Sequence, residues 1–279
     1  MKFLHRTFHF VTTISRKSRA DYVSAHSGHS ALFLIISVFP LLILMLALIK
    51  HTGLGENELL ALLQGLAPKA FQGIIADSVS QIFGRIGRLA VSLTVVTLLW
   101  SASGFIYSIT LALNRIYKYE ENRNYFLLRG ISLLYTLLFL MLLLIILSLS
   151  VLVQRLWGYV LLYSNSDFVS FLLNLIPKLL SFLLLLFVVS MFYSFIPKTK
   201  SKILTHLPGS LMATVSWYVF SLVYPIYLRY FSNISYIYGG LAIAILWLWW
   251  LYFSIYIFYL GAEVNAQLIT LREMRKTNE

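Results

Sequence analysis

Glu263 is the residue in this sequence best placed to do chemistry at a membrane. It lies in YLGAEVNAQL (residues 259–268), where a glutamate, an asparagine and a glutamine follow about twenty almost uninterrupted apolar residues. A carboxylate at a bilayer centre costs on the order of 3 kcal/mol on insertion scales, and far less among the head groups. Coming just past a long apolar stretch, Glu263 is expected at the interface. The second apolar stretch ends on the same side in ALNRIY, which supplies a cation. The expectation is therefore an ion pair between Glu263 and Arg115, with Asn114 and Asn265 completing a polar cluster. Such a cluster reads either as a structural clamp or as a coupling or substrate site.

Other chemistries find less material. The histidines are His5, His9, His26, His29, His51 and His206. His26 and His29 are spaced to share a helix face, with Asp21 nearby, but a stable metal site needs more ligands than this. The chain has no cysteine, which excludes disulfides, thiolate catalysis and cysteine-ligated clusters. No P-loop, G-x-S-x-G, H-E-x-x-H or dinucleotide fingerprint occurs. No catalytic residue, metal ligand set or cofactor site is assigned, and an enzyme is not indicated.

The elements that hold Glu263 follow from composition. Of 279 residues, 59% are hydrophobic and 11% charged, and the mean hydropathy is +0.82. A soluble domain carries roughly 25% charged residues. This chain has too little polar surface for water, so lipid is its solvent. Crossing about 30 Å of hydrocarbon takes about twenty helical residues. Six stretches qualify or nearly so: 30–49, 89–113, 130–153, 179–196, 209–228 and 240–262. The fourth is short and can recruit 172–176 beyond Pro177. Alternating strand signals are absent, which argues against a β-barrel.

The expected fold is all-α, a polytopic protein of six transmembrane helices. Between spans one and two lies a 39-residue connection holding two amphipathic runs split before Pro68. It reads as a helical hairpin over 53–87, serving either as a packed cover or as a lipid-contacting lid. Residues 1–27 read as an amphipathic interfacial segment, 28–263 as the membrane domain and 264–279 as a tail. Fifteen Lys and Arg fall on the side of the termini and six on the other. The positive-inside rule therefore puts both termini in the cytoplasm. The net charge of +12 is expected to meet anionic lipid head groups rather than nucleic acid. A further copy of the chain or an envelope protein stays open as a protein partner. No cleavable signal peptide is read.

Several small residues and prolines mark where helices bend or meet. Pro40 interrupts the hydrogen bonding of span one, either as a structural kink or as an opening of the transporter kind. Gly104, Ser108 and Ala112, extended by Ser101, place small residues on one face of span two for close approach. Pro208 and Gly209 are expected to start span five, and Gly239 and Gly240 precede the aromatic-rich span six.

Together SVFPLL, SASGFIYSITLALNRIY, HLPGSLMATVSWYVFS, YIYGGLAIAILWLWWLY and LGAEVNAQL resemble the YihY/BrkB family of bacterial inner-membrane proteins. ALNRIY and YGG…LGAEVNA are the most specific elements, and residues 24–34 are more polar than the family's alanine-rich opening. The resemblance implies a six-span bundle with cytoplasmic ends. Members are linked by name to virulence and serum resistance, some are thought of as lipid or solute exporters, and relatives were once labelled ribonuclease BN. This sequence lacks the clustered histidines and aspartates that metal-dependent phosphodiester hydrolysis requires. The expected function is transport of a lipid or amphipathic anion. The alternative is a non-transporting envelope scaffold, with a ribonuclease a distant third.

Overall fold

The computed structural model describes residues 12–51, 88–142, 167–198, 202–230 and 240–277. They form seven helices: α1 (12–20), α2 (Val23–His51), α3 (Arg88–Ile116), α4 (Tyr125–Leu142), α5 (Asp167–Phe195), α6 (Ile203–Tyr230) and α7 (Gly240–Thr277). Among the described residues there is no strand. Segment 1–11, the expected hairpin at 53–87 and Gly239 lie outside them. Gly240 is the first residue of α7.

Five helices are long and apolar enough to cross a membrane: Ser92–Ile116, Tyr125–Leu142, Leu175–Phe195, Ile203–Leu228 and Ala244–Met274. The described apolar part of α2, Val23–Val38, is shorter. Large apolar side chains such as Leu93, Phe126, Leu204 and Leu222 point outward, the surface expected of a bundle whose solvent is hydrocarbon. At 38 residues, α7 is about 57 Å long, nearly twice the hydrocarbon thickness.

The prolines do not end helices. α2 continues through Pro40, α5 through Pro177, and α6 through Pro208 and Pro225. α5 therefore includes the residues before Pro177, which lengthens the shortest apolar stretch. α6 begins at Ile203, five residues ahead of Pro208, rather than at Pro208 itself. Lying beyond the first four helical residues, Pro208 removes the N–H that would reach the Leu204 carbonyl, and the helix passes through it at the cost of that bond.

Two non-glycine residues with positive φ shape one end of the bundle. Tyr22 (φ 55°) separates α1 from α2, and Lys118 (φ 60°) follows α3. After α3 the Tyr119 N–H reaches the Asn114 carbonyl at 2.7 Å and the Lys118 N–H reaches that of Arg115 at 3.1 Å. This is a Schellman end with lysine where glycine is usual. Each left-handed residue costs about 1–2 kcal/mol. They flank one ion pair, Lys118 with Asp21, and the two chain reversals bring these residues together. The next helix, α4, opens with Asn124, whose Oδ1 accepts the Leu127 N–H at 2.9 Å as an N-cap.

Small residues set the helix crossings. A Cβ on Gly104 would collide with the Phe33 ring of α2, and Ser108, one turn on, is buried. A Cβ on Gly209 would run into the Gly261 carbonyl, and one on Gly261 would lie 2.6 Å from the Gly209 carbonyl. Thus α6 and α7 meet backbone to backbone. Around these crossings pack Ala31, Ile109, Leu113, Tyr193, Tyr259 and Ala262.

The two glycine contacts should respond differently to alanine. At Gly104 the obstacle is a side chain that can turn, whereas at Gly209 and Gly261 it is backbone. Gly209→Ala and Gly261→Ala are each expected to cost about 1–3 kcal/mol, seen as a lower thermal midpoint in detergent. Gly104→Ala is expected to cost less. An equal or larger loss at Gly104 would contradict the backbone crossing.

Candidate functional site

Polar residues gather where α3, α5, α6 and α7 come together with the turn after α1. Asn114, Glu263 and Asn265 are all buried there, and Arg115 is not. The expected pair between Glu263 and Arg115 is not formed. Arg115 lies over the Tyr22 ring at 4.6 Å and donates to the Ala20 carbonyl at 3.4 Å. The reason is helical phase. Asn114 and Arg115 are neighbours about 100° apart on α3, so when Asn114 faces the bundle Arg115 faces outward.

Each asparagine joins separate elements. Asn114 donates from Nδ2 to Glu121 Oε2 at 2.7 Å and accepts the Lys198 N–H at 3.0 Å. It thereby ties α3 to the loop before α4 and to the segment after α5. Asn265 accepts the Gly209 N–H at 2.7 Å and donates to the His206 carbonyl at 2.9 Å. These backbone groups lie either side of Pro208. The Tyr117 hydroxyl meets His206 Nδ1 at 3.2 Å, so a single layer of polar contacts spans α3, α6 and α7.

Glu263 is 1% exposed, and neither of its carboxyl oxygens has a hydrogen-bond partner. The Asp21 carboxyl and the ammonium groups of Lys118 and Lys17 lie close enough to act on its charge. Asp21 is 3% exposed; its Oδ1 takes the Lys118 ammonium and its Oδ2 has no partner. Two ionised carboxylates are both acceptors, so neither satisfies the other until a proton or cation lies between them. Lys17 itself donates to Gln267 on α7. The result is a carboxyl pair sealed from water with unused acceptor capacity.

A second polar string runs into the bundle. Ser30 Oγ lies 2.7 Å from Ser108 Oγ and 2.6 Å from the Tyr259 hydroxyl. His29 Nδ1 lies 2.7 Å from Ser108 Oγ. Ser108 is thus more than a small residue permitting contact, since it links α2 to α3. Among the described residues no group of three His, Asp or Glu side chains is placed to share a metal. Pro40 lies buried within α2, apart from these contacts.

Several members of the site were not assigned to it from sequence. Asp21 was considered only beside the histidines, and Lys118 only as a charge outside the spans. Gly261 was read as part of a motif and not as a crossing. Its signal was available: Gly261, Glu263 and Asn265 alternate within five residues of one helix.

The fold and this buried cluster define an all-α, multi-pass membrane protein. The chain belongs to the family described as Virulence factor BrkB, whose profile matches residues 14–279. It is similar to the "Putative ribonuclease-like protein YfkH" of Bacillus subtilis (strain 168), 29% identical over 91% of this chain and 94% of that one. It is also similar to a "UPF0761 membrane protein" of Psychromonas ingrahamii, 26% identical over 98% and 91% of the two chains. A third relative is "UPF0761 membrane protein PBPRA3489" of Photobacterium profundum, 24% identical over 95% and 82%. No solved structure gives a significant match.

Two predictions follow from the polar layer. Asn265→Ala leaves the Gly209 N–H and the His206 carbonyl without their side-chain partner, at an expected cost of about 2 kcal/mol or more, read as a fall in thermal midpoint. The second concerns Glu121, in the loop outside the spans, which accepts from Arg123 Nε at 2.7 Å and Nη2 at 2.5 Å. That guanidinium holds the Glu121 carboxyl below the usual range. A lowered folded-state value stabilises the protein fully above the ordinary glutamate value of about 4.3 and loses that contribution as pH falls through the folded value. Thermal midpoints taken from pH 7 down to pH 3 should show wild type exceeding Glu121→Gln at neutral pH, with the gap closing in acid. A gap that widens in acid contradicts the assignment.

Proposed function

We propose that this chain is a six-span transporter of a lipid or amphipathic anion in the bacterial inner membrane, with both termini in the cytoplasm. The observation that carries the reading is the sealed Asp21–Glu263 pair. An ionisable residue that is buried in a membrane bundle and lacks a complete set of partners is costly, and such residues mark ion and proton pathways. The pair joins the turn after α1 to α7. A proton or cation arriving between the carboxyls removes their repulsion and favours close approach of the two elements, while its departure favours separation. That is a means of coupling ion occupancy to helix position.

A second reading is a scaffold for envelope proteins. It is favoured by the backbone contact of Gly209 with Gly261, which closes the bundle beside Glu263. An apolar groove of about 360 Å³ lined by Ile106, Tyr135, Phe139, Met191 and Phe192 is suited to acyl chains, and so supports the lipid version of the transport reading instead. The ribonuclease-like wording attached to the Bacillus subtilis relative finds no metal-ligating cluster among the described residues to support it.

The test is transbilayer movement of fluorescent phospholipids and amphipathic anions in vesicles holding the purified full-length chain, with and without a pH gradient. Wild type should exceed empty vesicles, and Glu263→Gln should lose the response to the gradient while staying folded. Movement no faster than in empty vesicles sinks the transport reading and leaves the scaffold.

A further inference from the structure

Arg129 is a second buried charge, remote from the carboxyl pair in its contacts. It belongs to the Tyr125–Leu142 stretch, yet only 7% of it is exposed. Its Nη2 donates to the Trp100 carbonyl at 2.8 Å, well inside the Ser92–Ile116 stretch. That carbonyl also accepts the Ser103 hydroxyl at 2.8 Å. The guanidinium carbon lies 4.7 Å from the Trp100 ring centre, with the Tyr107 and Phe33 rings at 5.9 and 6.0 Å. Its Nε is buried and donates to nothing. Both ion pairs found among the described residues lie elsewhere, Lys118 with Asp21 and Arg123 with Glu121.

This arrangement holds a full positive charge with partial negative ones. Aromatic faces and a carbonyl dipole attract a guanidinium but do not neutralise it. Arginine in a membrane segment ordinarily pairs with an acid or reaches water, and among the described residues Arg129 has no acid partner and is only 7% exposed. Its Nε–H and Nη2–H lie along one edge of the planar fork, the edge that meets phosphate oxygens side by side. Trp100 is 60% exposed on the outer surface of α3, so the aromatic wall of the site borders lipid.

We infer that Arg129 is an oxyanion-binding residue that takes the phosphate group of an amphipathic anion entering between α3 and α4 from the bilayer. The inference rests on the transport reading and supplies the substrate class that reading leaves open. Trp100 and Tyr107 hold the guanidinium plane in place, and the phosphate accepts from Nε.

The test is binding rather than flux. The full-length chain, purified in a maltoside detergent, is titrated with phosphatidylglycerol or with diacylglycerol of the same acyl chains, and lipid retention by native mass spectrometry and the thermal midpoint are followed. Inorganic phosphate alone forms a parallel arm. Wild type is expected to retain phosphatidylglycerol over diacylglycerol, which lacks the phosphate, by about tenfold or more, the scale of one charge-assisted hydrogen bond. Arg129→Gln should bring the two lipids to parity. Arg129→Lys keeps the charge without the fork, and should lose most of the preference even if the glutamine variant does not fold. A stabilising effect of inorganic phosphate that depends on Arg129, with none from the lipid, supports the oxyanion site but overturns its lipid occupant. No preference in wild type, or an undiminished preference in folded Arg129→Lys and Arg129→Gln, overturns the inference. Preserved binding without flux in vesicles would instead remove the transport reading and leave the anion site standing.

Discussion

The close approach of α6 and α7 at Gly209 and Gly261 is the contact on which the polar end of the bundle depends. With backbones in contact there, Asn265 reaches across to the Gly209 N–H and the His206 carbonyl. Glu263, two residues from both Gly261 and Asn265 on α7, is turned about 200° away from that crossing, toward Asp21. A bulkier residue at either glycine would separate the helices and admit water or lipid to groups that are now dry. Helices in lipid gain little from burying apolar faces against one another. Small residues and interhelical hydrogen bonds therefore set their association, and both are concentrated in this short segment.

Partial charges and incomplete pairing recur at the two unusual sites. At one, two carboxyls face each other with an ammonium on one outer oxygen. At the other, a guanidinium is surrounded by rings and a carbonyl. Water cannot finish the work at either place, because both are buried. Unsatisfied buried groups are expensive in any protein. Two such sites, of opposite sign and on different elements, lie within this one bundle.

Much of the helical architecture was legible because apolar run length is a strong signal in a lipid-soluble chain. The helices found at 88–116, 203–230 and 240–277 overlap the stretches read from sequence, as does the contact face of Gly104 and Ser108. The polar residues Asn114, Glu263 and Asn265 were each conspicuous as breaks in or just past an apolar run, and all three are buried. Their partners were not conspicuous. Choosing Arg115 for Glu263 required the phase of α3, which composition does not give; one residue's difference turned the side chain outward. Asp21 became the facing acid only through a left-handed turn at Tyr22, a conformation that a tyrosine does not advertise. Arg129 was counted with the charges between spans two and three because it stands one residue ahead of the third apolar stretch, and its burial depends on three aromatic rings from other helices.

The length of α7 has a mechanical meaning. From Glu263 the helix continues about 21 Å to Thr277 and carries Gln267, which holds Lys17 of α1. A continuous helix behaves as a shaft pivoting where it is most tightly gripped, here at Gly261. Tilting it by about ten degrees would swing its far end roughly 3–4 Å. A displacement too small to disturb the packed crossing would thus be magnified outside it, giving α1 and the terminal turns of α7 the leverage of a pointer.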